Sequence, residues 1–474
     1  MTNKRPADWV ETEKPVFTPQ LWKITAVVTF GPFLSQLDTT LINIALPTLG
    51  STFEAPLSTV QWVTTGYLLS LALMIPLCGW LVDRFGPKRV YVGSFTVFTL
   101  ASAFCGLAQN IETLVAFRIL QGMAGGLLAP MAQLMSARYA GPLIARMLAL
   151  VGVPVLFAPI FGPFLGGSIL HVLSWRGLFF ANLPLGVMAI GLAVWLLPRD
   201  EESKPRLLDW QGFLLLSPGL VILLYSFERV AAKGERLVAV MGLLLGVVLL
   251  GSFVARSVSR KERGLIDLGL FRNRIFSTAA VTQFLANATT QGGQMLLSLY
   301  LLIVRGLSPA AAGLLLTALG VGLLLSRLVI DRLLEKIGPR ALSACGAGAC
   351  LVSTVPFLVP DDFLPTPVIV IALVLRGFGV GIVNMPSVVS AYTSIDRASL
   401  SDAATALNIA QRLGGPVATV ALTLCVASHF VPGAEVAASA TEWSFTIACG
   451  LLMAINVLCL ASALRLPRRL KSFL

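Results

Sequence analysis

The stretch FLSQLDTTLINIALP, residues 33–47, is an apolar run with one acidic residue, Asp38, near its centre. An ionised carboxylate at the middle of a bilayer costs about 2.5–3.5 kcal/mol on insertion scales. A membrane helix keeps such a residue when a partner or a function offsets that free energy. The stretch therefore predicts a membrane-spanning helix that carries a functional acid.

The composition extends this prediction to the whole chain. The 474 residues are 56% hydrophobic and 12% charged, with a mean hydropathy of +0.84, whereas soluble domains carry about 25% charged residues. The net charge of +12 is spread over short clusters between apolar runs, a pattern typical of membrane topology and not of a nucleic-acid-binding protein. The seven cysteines form no CxxC pair, so neither a disulfide framework nor a metal site is predicted.

Apolar runs long enough to cross a bilayer, which takes about twenty residues, recur along the chain. Fourteen are predicted, at 24–46, 60–82, 90–108, 112–136, 147–170, 178–197, 210–227, 238–256, 276–303, 310–330, 342–360, 366–389, 402–427 and 442–464. The first twenty residues are polar and lack the apolar core of a signal peptide, so we expect the first span to serve as its own insertion signal.

The distribution of lysine and arginine predicts the orientation. With a cytoplasmic N-terminus, the inward segments hold 26 of the 35 basic residues, the outward segments hold 5, and 4 lie within spans. This asymmetry predicts that both termini are cytoplasmic. The protein is expected to be a multi-pass protein of a bacterial inner membrane.

An internal repeat divides the chain. DRFGPKR after the second span is similar to DRLLEKIGPR after the tenth, and FRILQGMAGGLLAP in span 4 is echoed by LRGFGVGIVNMP in span 12. Two such halves predict a transporter with its site between them. The predicted divisions are a cytoplasmic tail at 1–23, a six-helix half at 24–198, a linker with two extra membrane helices at 199–275, a second six-helix half at 276–464 and a cytoplasmic tail at 465–474.

Seven stretches, taken in order, resemble one known family. They are LDTTLINIALP (37–47), GWLVDRFGPKRV (79–90), LVAFRILQGMAGG (114–126), GPFLGG (162–167), WRGLFFANLPLG (175–186), LDWQG (208–212) and LIDLGLFRNRIF (265–276). The chain resembles the fourteen-helix drug:proton antiporters of the major facilitator superfamily, the EmrB/QacA-type subfamily, over nearly its whole length. The resemblance implies an all-α membrane protein of the major facilitator fold, with two pseudo-symmetric six-helix halves and two extra central helices.

The loop GWLVDRFGPKRV suggests a gate. Gly79 allows close helix approach, Gly86 allows a tight turn, and Arg84, Lys88 and Arg89 favour the cytoplasmic face. The alternative is a plain positive-inside loop, but Asp83 can pair with an arginine or a helix N-terminus in one conformation. The resemblance implies that this loop holds the two halves together in the outward-facing state, and the repeat adds Asp331 and Arg332.

GPFLGG in span 5 fits two interpretations that do not exclude each other. Its small residues form a face on which another helix can pack closely. The resemblance also implies an antiport-associated motif, carried here by Gly162, Pro163, Gly166 and Gly167.

Asp38 and Arg118 are predicted to meet, because both lie roughly 10 Å below the outer ends of their spans at 1.5 Å per residue. The alternative to a functional role is a structural ion pair that cancels two buried charges. Asp38 alone among the 23 acidic residues lies well inside a span. We therefore expect it to be the proton-coupling site, with Arg118 as its partner and one proton per cycle.

A substrate cavity is predicted from polar and aromatic residues in several spans. Span 9 contains TQFLANATTQGGQM (282–295), whose amides either line a cavity or bond between helices. The predicted lining residues are Phe33, Gln36, Phe117, Met123, Asn287, Gln291, Gln294, Met295, Arg376 and Arg412. Such a lining suits amphiphilic compounds.

These observations predict a proton-coupled exporter of small amphiphilic, cationic or neutral compounds, including drugs. One alternative is an exporter of an anionic metabolite, such as an organic acid or a siderophore, that uses the buried arginines. Another is a membrane sensor or scaffold that transports nothing. No P-loop, nucleophile elbow or zinc motif occurs, so we predict no enzyme activity, no catalytic residue and no cofactor. The expected partners are a small molecule, protons and the lipid bilayer around a monomer, and no feature indicates a periplasmic adaptor.

Overall fold

The computed structural model describes residues 16–200, 207–230, 236–259, 264–359, 364–427 and 438–469. Regular structure in these ranges is entirely helical. The first long helix begins after Thr18, whose hydroxyl accepts a hydrogen bond from the Leu21 N–H, and Pro19 occupies its first position, both of which are favourable helix-start features. The helices before residue 200 are α1 (Pro19–Phe53), α2 (Leu57–Val60), α3 (Trp62–Met74), α4 (Cys78–Phe85), α5 (Pro87–Gly106), α6 (Ile111–Ala140), α7 (Ile144–Val172), α8 (Arg176–Phe180) and α9 (Asn182–Leu196).

Seven helices follow in the rest of the described chain. They are α10 (Trp210–Arg229), α11 (Arg236–Ser259), α12 (Arg274–Leu299), α13 (Pro309–Thr354), α14 (Thr366–Thr393), α15 (Leu400–Ala427) and α16 (Ala438–Ala463). Helix α13 consists of two helices, because Gly338 has φ +77° and Pro339 follows it. Only glycine adopts this backbone conformation readily, so the stretch DRLLEKIGPR contains a sharp reversal between two helices.

Each of the fourteen predicted apolar runs lies largely on helix in the described ranges. Among the described residues, ten helices are long and apolar enough to cross a membrane by length and composition. Helices α1, α5 and α12 are not among these ten, and α6 with the first part of α7 counts as one continuous candidate. The protein is thus a multi-pass, all-helical membrane protein, while the count of fourteen crossings stays a prediction.

The two groups of helices, α1–α9 and α12–α16, share one hydrophobic core at the end of the bundle where α1 begins and α16 ends. We call this the terminal end. The shared core contains Val82 and Met135 from the first group and Ile330 and Leu400 from the second. Towards the opposite end the large buried apolar clusters separate, one formed by α1–α9 alone and one by α12–α16 alone. The two groups are therefore packed together at the terminal end and apart at the opposite end.

The contacts between helices position the site. Helix α1 packs on α6 and α7, α3 packs on α6, and α12 packs on α14, α15 and α16. Between the groups, α15 contacts α4 and α6, and α7 contacts α13 and α14. The helices of the predicted linker lie on one side, where α10 packs on both α3 and α15 and Tyr225 stacks on Trp62 with ring centroids 5.7 Å apart. Helix α10 thus bridges the two groups.

Candidate functional site

Asp38 lies in the middle of α1, enclosed by α6 and α9, and is 1% exposed. The Arg118 Nη1 lies 2.6 Å from its Oδ2. Its other oxygen, Oδ1, accepts hydrogen bonds from the Gln121 amide at 3.0 Å and from the Asn182 amide at 2.7 Å. The predicted meeting of Asp38 and Arg118 is present. Three donors surround the carboxylate, as a buried charge requires.

Arg118 is fully buried and is held by several groups besides the carboxylate. Its Nε donates to the Val63 carbonyl at 3.0 Å, its Nη1 also donates to the Gln121 Oε1 at 2.7 Å, and its guanidinium lies 4.1 Å from the centre of the Tyr67 ring. The Tyr67 hydroxyl is in turn 2.9 Å from the Ser35 hydroxyl, back on α1. The buried Arg118 Nη2 has no hydrogen-bond partner. The guanidinium therefore connects α1, α3 and α6 through a polar network.

Gln121, Asn182 and Tyr67 belong to this site and were not predicted from the sequence. Gln121 lies three residues after Arg118 and so shares its helix face, a spacing visible in FRILQG. Asn182 is the amide within the apolar stretch GLFFANLPLG, and its Nδ2 also approaches the Ser102 hydroxyl at 3.2 Å. The spacing from Arg118 could have indicated Gln121, but no local pattern assigns Asn182 to Asp38.

The predicted gating loop lies at the terminal end, against α15. The Gly79 N–H donates to the Thr405 hydroxyl at 3.2 Å. A Cβ at Gly79 would lie 3.1 Å from the Ser401 carbonyl oxygen, so glycine permits this close approach. Asp83 is half-buried and Arg84 is exposed. The loop residues thus sit where the two helix groups touch.

Gly86 provides the turn of this loop, with φ +88°. The Asp200 carboxylate lies directly against it and accepts hydrogen bonds from the Lys88 N–H at 2.8 Å and the Arg89 N–H at 3.0 Å. The Lys88 ammonium donates to the Val194 and Leu197 carbonyls at 2.7 and 2.8 Å. The basic residues of the loop therefore fasten α5 to the end of α9.

The repeat of the gating loop lies between the two parts of α13. Arg332 is exposed, and the side chain of Asp331 lies outside what the structure describes. Farther along this loop, the Arg340 Nε donates to the Leu466 carbonyl at 2.7 Å, so the second loop contacts the segment that follows α16.

The glycines of GPFLGG pack α7 onto α1. A Cβ at Gly162 would lie 2.6 Å from the Thr40 Cγ2, and one at Gly166 would lie 3.1 Å from the Ile44 Cδ1. Gly167 has no other atom within 4 Å of an added Cβ, and the side chain of Pro163 lies outside what the structure describes. Gly162 and Gly166 therefore form the face of α7 that packs on α1. The residues of α1 that they contact, Thr40 and Ile44, follow Asp38 in the chain.

Two cavities lie near α12. A cavity of about 380 Å³ is bordered by Glu228 of α10, by Gln291, Gln294 and Met295 of α12, and by Gly415 of α15. A larger cavity of about 630 Å³ lies between α7, α12, α13 and α14 and includes Gln294 and Arg376. Four predicted cavity residues thus border two adjoining spaces that share Gln294. Glu228 was not predicted to take part.

The other predicted cavity residues lie elsewhere. Met123 borders a third cavity of about 400 Å³ among α3–α6. Phe117 packs on Phe104 with ring centroids 5.4 Å apart. Phe33 and Phe117 both pack against the buried apolar cluster that is formed by α1–α9 alone. The remaining three are placed as follows: Gln36 is exposed, the Asn287 amide donates to the Gln283 carbonyl, and Arg412 is half-buried within electrostatic range of Tyr67.

Comparison with known proteins agrees with this architecture. Residues 28–419 match the family model of the Major Facilitator Superfamily. The chain belongs to the major facilitator superfamily. It is therefore a transporter by family and fold, and not an enzyme.

Individual relatives and solved structures extend this comparison. A multidrug resistance protein B homolog of Mycobacterium tuberculosis is 33% identical over 432 residues, which cover 90% of this chain and 80% of that protein. The proton:xylose symporter XylE matches with a TM-score of 0.62 at 16% identity, over 91% of this chain and 94% of the symporter. The human organic anion transporter MFSD10 matches with a TM-score of 0.60 at 18% identity, over 93% of this chain and all of that one. At these identities the two structures show the fold alone.

Proposed function

We propose that this protein exports small amphiphilic compounds, cationic or neutral and including drugs, in exchange for protons. The observation that carries the proposal is the buried carboxylate of Asp38 and its three donors from Arg118, Gln121 and Asn182. The relative from Mycobacterium tuberculosis, named as a multidrug resistance protein, supports the substrate class.

Protonation of Asp38 is the step that changes this site. The ionised carboxylate accepts from all three donors, whereas the neutral carboxyl carries a proton of its own and attracts the guanidinium much less. Breaking a buried charge pair costs about 3–5 kcal/mol, which is enough to favour a second arrangement of the helices. Asp38 therefore couples proton binding to the separation of α1 from α6.

The glycine face of α7 transmits this movement. Because Thr40 and Ile44 of α1 contact α7 at Gly162 and Gly166, a displacement of α1 also displaces α7. Helix α7 in turn contacts α13 and α14 of the other group. A change at Asp38 thereby reaches the interface between the halves.

The terminal end is the closed side in this structure. The shared core lies there, and the Gln133 side chain accepts hydrogen bonds from Tyr392 at 3.3 Å and from Asn408 at 3.1 Å across the interface. With the termini in the cytoplasm, as the basic residues predict, this arrangement is outward-facing. Gly79 and its loop then form the gate that opens when the halves rock.

The cavities beside α12 are the proposed substrate site. Their amides, thioether and apolar side chains can adapt to ligands of different shape. Glu228 at the edge of the smaller cavity provides a negative charge that attracts a cation. The same site accommodates a neutral amphiphile through its apolar lining.

The test is proton-driven transport by the purified protein in liposomes. A pH gradient should drive uptake of a fluorescent lipophilic monovalent cation, and Asp38→Asn should abolish this gradient-driven uptake while leaving counterflow exchange of the cation. The matched control is Asp209→Asn, which removes the carboxylate of another ion pair, with Arg256 at 2.8 Å. Uptake should persist in this control.

The alternatives give different results in the same experiment. A sensor or scaffold shows no transport in any variant. An exporter restricted to anionic metabolites transports a carboxylate and no cation. Gradient-driven cation uptake that survives in Asp38→Asn would remove Asp38 from the coupling step.

A further inference from the structure

A second buried polar cluster surrounds Arg376 in α14. This side chain is 2% exposed, and its Nη2 donates to the Thr289 carbonyl at 2.7 Å. Its Nη1 donates to the Thr354 hydroxyl at 3.2 Å, and that hydroxyl also accepts from the Asn456 amide at 3.2 Å. Gly293 makes room for the guanidinium, because a Cβ there would overlap it. The cluster joins α12, α13, α14 and α16.

This cluster is similar to the Asp38 site, except that its central group is a hydroxyl of α13 and not a carboxylate of the first long helix of its half. In the first half, a guanidinium from α6 and an amide from α9 converge on the carboxylate of Asp38. In the second half, a guanidinium from α14, the helix that carries the echo of the α6 motif, and an amide from α16 converge on the hydroxyl of Thr354. Arg376 thus provides a buried positive charge like that of Arg118, but the hydroxyl of Thr354 provides no negative charge like that of Asp38.

Among the residues that the structure describes, no group therefore neutralises the charge of Arg376. No carboxylate of the described residues lies within ion-pair distance of this guanidinium. Neutral acceptors satisfy some of its N–H groups, but a buried charge is stabilised far more by an opposite charge. The arrangement favours an anion from outside the protein.

The space beside Arg376 fits an organic anion better than an inorganic ion. Arg376 borders the cavity of about 630 Å³ between α7, α12, α13 and α14. Much of the lining is apolar and includes Leu156, Leu316, Leu319, Leu323 and Leu324. A chloride ion would leave most of this surface uncovered, whereas an aromatic or aliphatic body would cover it.

We propose that this cavity binds an amphiphilic organic monoanion, such as an aromatic carboxylate, with the anionic group at Arg376 and the apolar body along α13. The inference extends the substrate class of the proposed exporter, and it concerns binding, which does not depend on proton coupling at Asp38. A measurement of binding therefore tests it separately from the proposed function.

The experiment measures binding to the full-length protein in nanodiscs by equilibrium dialysis. The probes are 2-naphthoate, 2-naphthalenemethanol and 2-naphthylmethylammonium, which share one ring system and differ in charge. We expect the wild type to bind 2-naphthoate at least about tenfold more tightly than the alcohol, since a hydrogen bond between two charged groups is stronger than one to a neutral hydroxyl. Sodium chloride in excess should not displace the naphthoate.

Two matched pairs of variants locate the site. Thr354→Asp places a carboxylate between Arg376 and Asn456 and should remove the preference for naphthoate, whereas Thr354→Asn, of similar size, should keep it. Arg376→Gln should also remove the preference, and Arg376→Lys should keep part of it. If Thr354→Asp does not fold, the comparison of Arg376→Gln with Arg376→Lys still tests whether Arg376 binds the naphthoate.

Three results would overturn the inference. They are equal binding of naphthoate and its alcohol by the wild type, a preference unchanged in Arg376→Gln, and displacement of naphthoate by chloride. Because dialysis measures binding at equilibrium with no proton gradient, failure of the proposed proton coupling remains distinguishable from failure of this site.

Discussion

The Asp200 carboxylate caps helix α5 from a distant part of the chain, accepting a hydrogen bond of 2.8 Å from the Lys88 N–H. A carboxylate at a helix N-terminus satisfies free N–H groups and interacts favourably with the helix dipole. In return, the Lys88 ammonium donates to carbonyls near the end of α9. Asp200 therefore connects the gating loop to the segment that leaves the first half.

Asp200→Ala removes this cap. We expect it to destabilise the protein by about 1 kcal/mol, the usual effect of losing an N-cap, and Asp200→Asn to have a smaller effect because its amide oxygen still accepts. Thermal unfolding of the purified protein measures the difference. Equal unfolding temperatures for all three proteins would show that the cap contributes nothing.

The hydrogen bond from Asn182 to Asp38 should depend on the charge of the carboxylate. Asn182→Ala should destabilise the wild type by about 1.5–3 kcal/mol, the range for hydrogen bonds to charged groups, and Asp38→Asn/Asn182→Ala should be little less stable than Asp38→Asn. The double-mutant cycle is measured by thermal unfolding. Additive effects would mean that the two side chains do not interact.

The packing of α7 on α1 can be tested at one glycine. Gly162→Ala would place a Cβ 2.6 Å from the Thr40 Cγ2, so we expect about 1–3 kcal/mol of destabilisation and slower transport. Gly167→Ala is the control, since its added Cβ contacts no other atom within 4 Å. Transport in liposomes distinguishes the two, and equal rates would argue against transmission through this face.

The closed terminal end should be weakened by Gly79→Ala, whose Cβ would crowd the Ser401 carbonyl and the Thr405 hydroxyl, each at 3.1 Å. Hydrogen–deuterium exchange should rise in α4 and in the first turn of α15. The control is Gly93→Ala, where an added Cβ has free space. Unchanged exchange in Gly79→Ala would mean that this contact does not hold the gate.

Exchange of one proton for one monovalent cation should move no net charge. Imposing a membrane potential on the liposomes should therefore leave transport of a monovalent cation unchanged, and a pH gradient of one unit should support about tenfold accumulation. A neutral substrate should respond to the potential by about 2.3 kcal/mol per 100 mV. We therefore expect monovalent cationic or neutral substrates to be transported far better than divalent ones, and potential-driven export of a divalent cation at one proton per cycle would contradict this expectation.

The contact between Asp38 and Arg118 could be predicted from the depth of the two residues in the membrane. Asp38 and Arg118 were expected to meet because each lies a similar number of residues from the same membrane surface, and their contact follows from helix rise. Gln121 shares a face with Arg118 and could have been included by the same reasoning. Asn182 could not, since the rotation of α9 about its axis depends on how it packs on α5.

The residues that line a shared cavity could not all be predicted from their positions in the helices. Gln291, Gln294 and Met295 border the cavities beside α12, while Met123 faces a separate space among α3–α6. Hydropathy identifies a polar position in a helix but does not decide which neighbour it faces. Glu228 lies near the end of α10, and its cavity exists because α10 packs beside α15.

The sequence by itself determined that this protein is a helical membrane protein, because long apolar runs must satisfy their backbone groups as helices in lipid. It also determined the reversals at Gly86 and Gly338, where the backbone conformation favours glycine. The tertiary structure decided which polar groups surround Asp38, and it placed no carboxylate of the described residues within ion-pair distance of Arg376. Those outcomes depend on helix rotation and on contacts between distant segments, which no local pattern encodes.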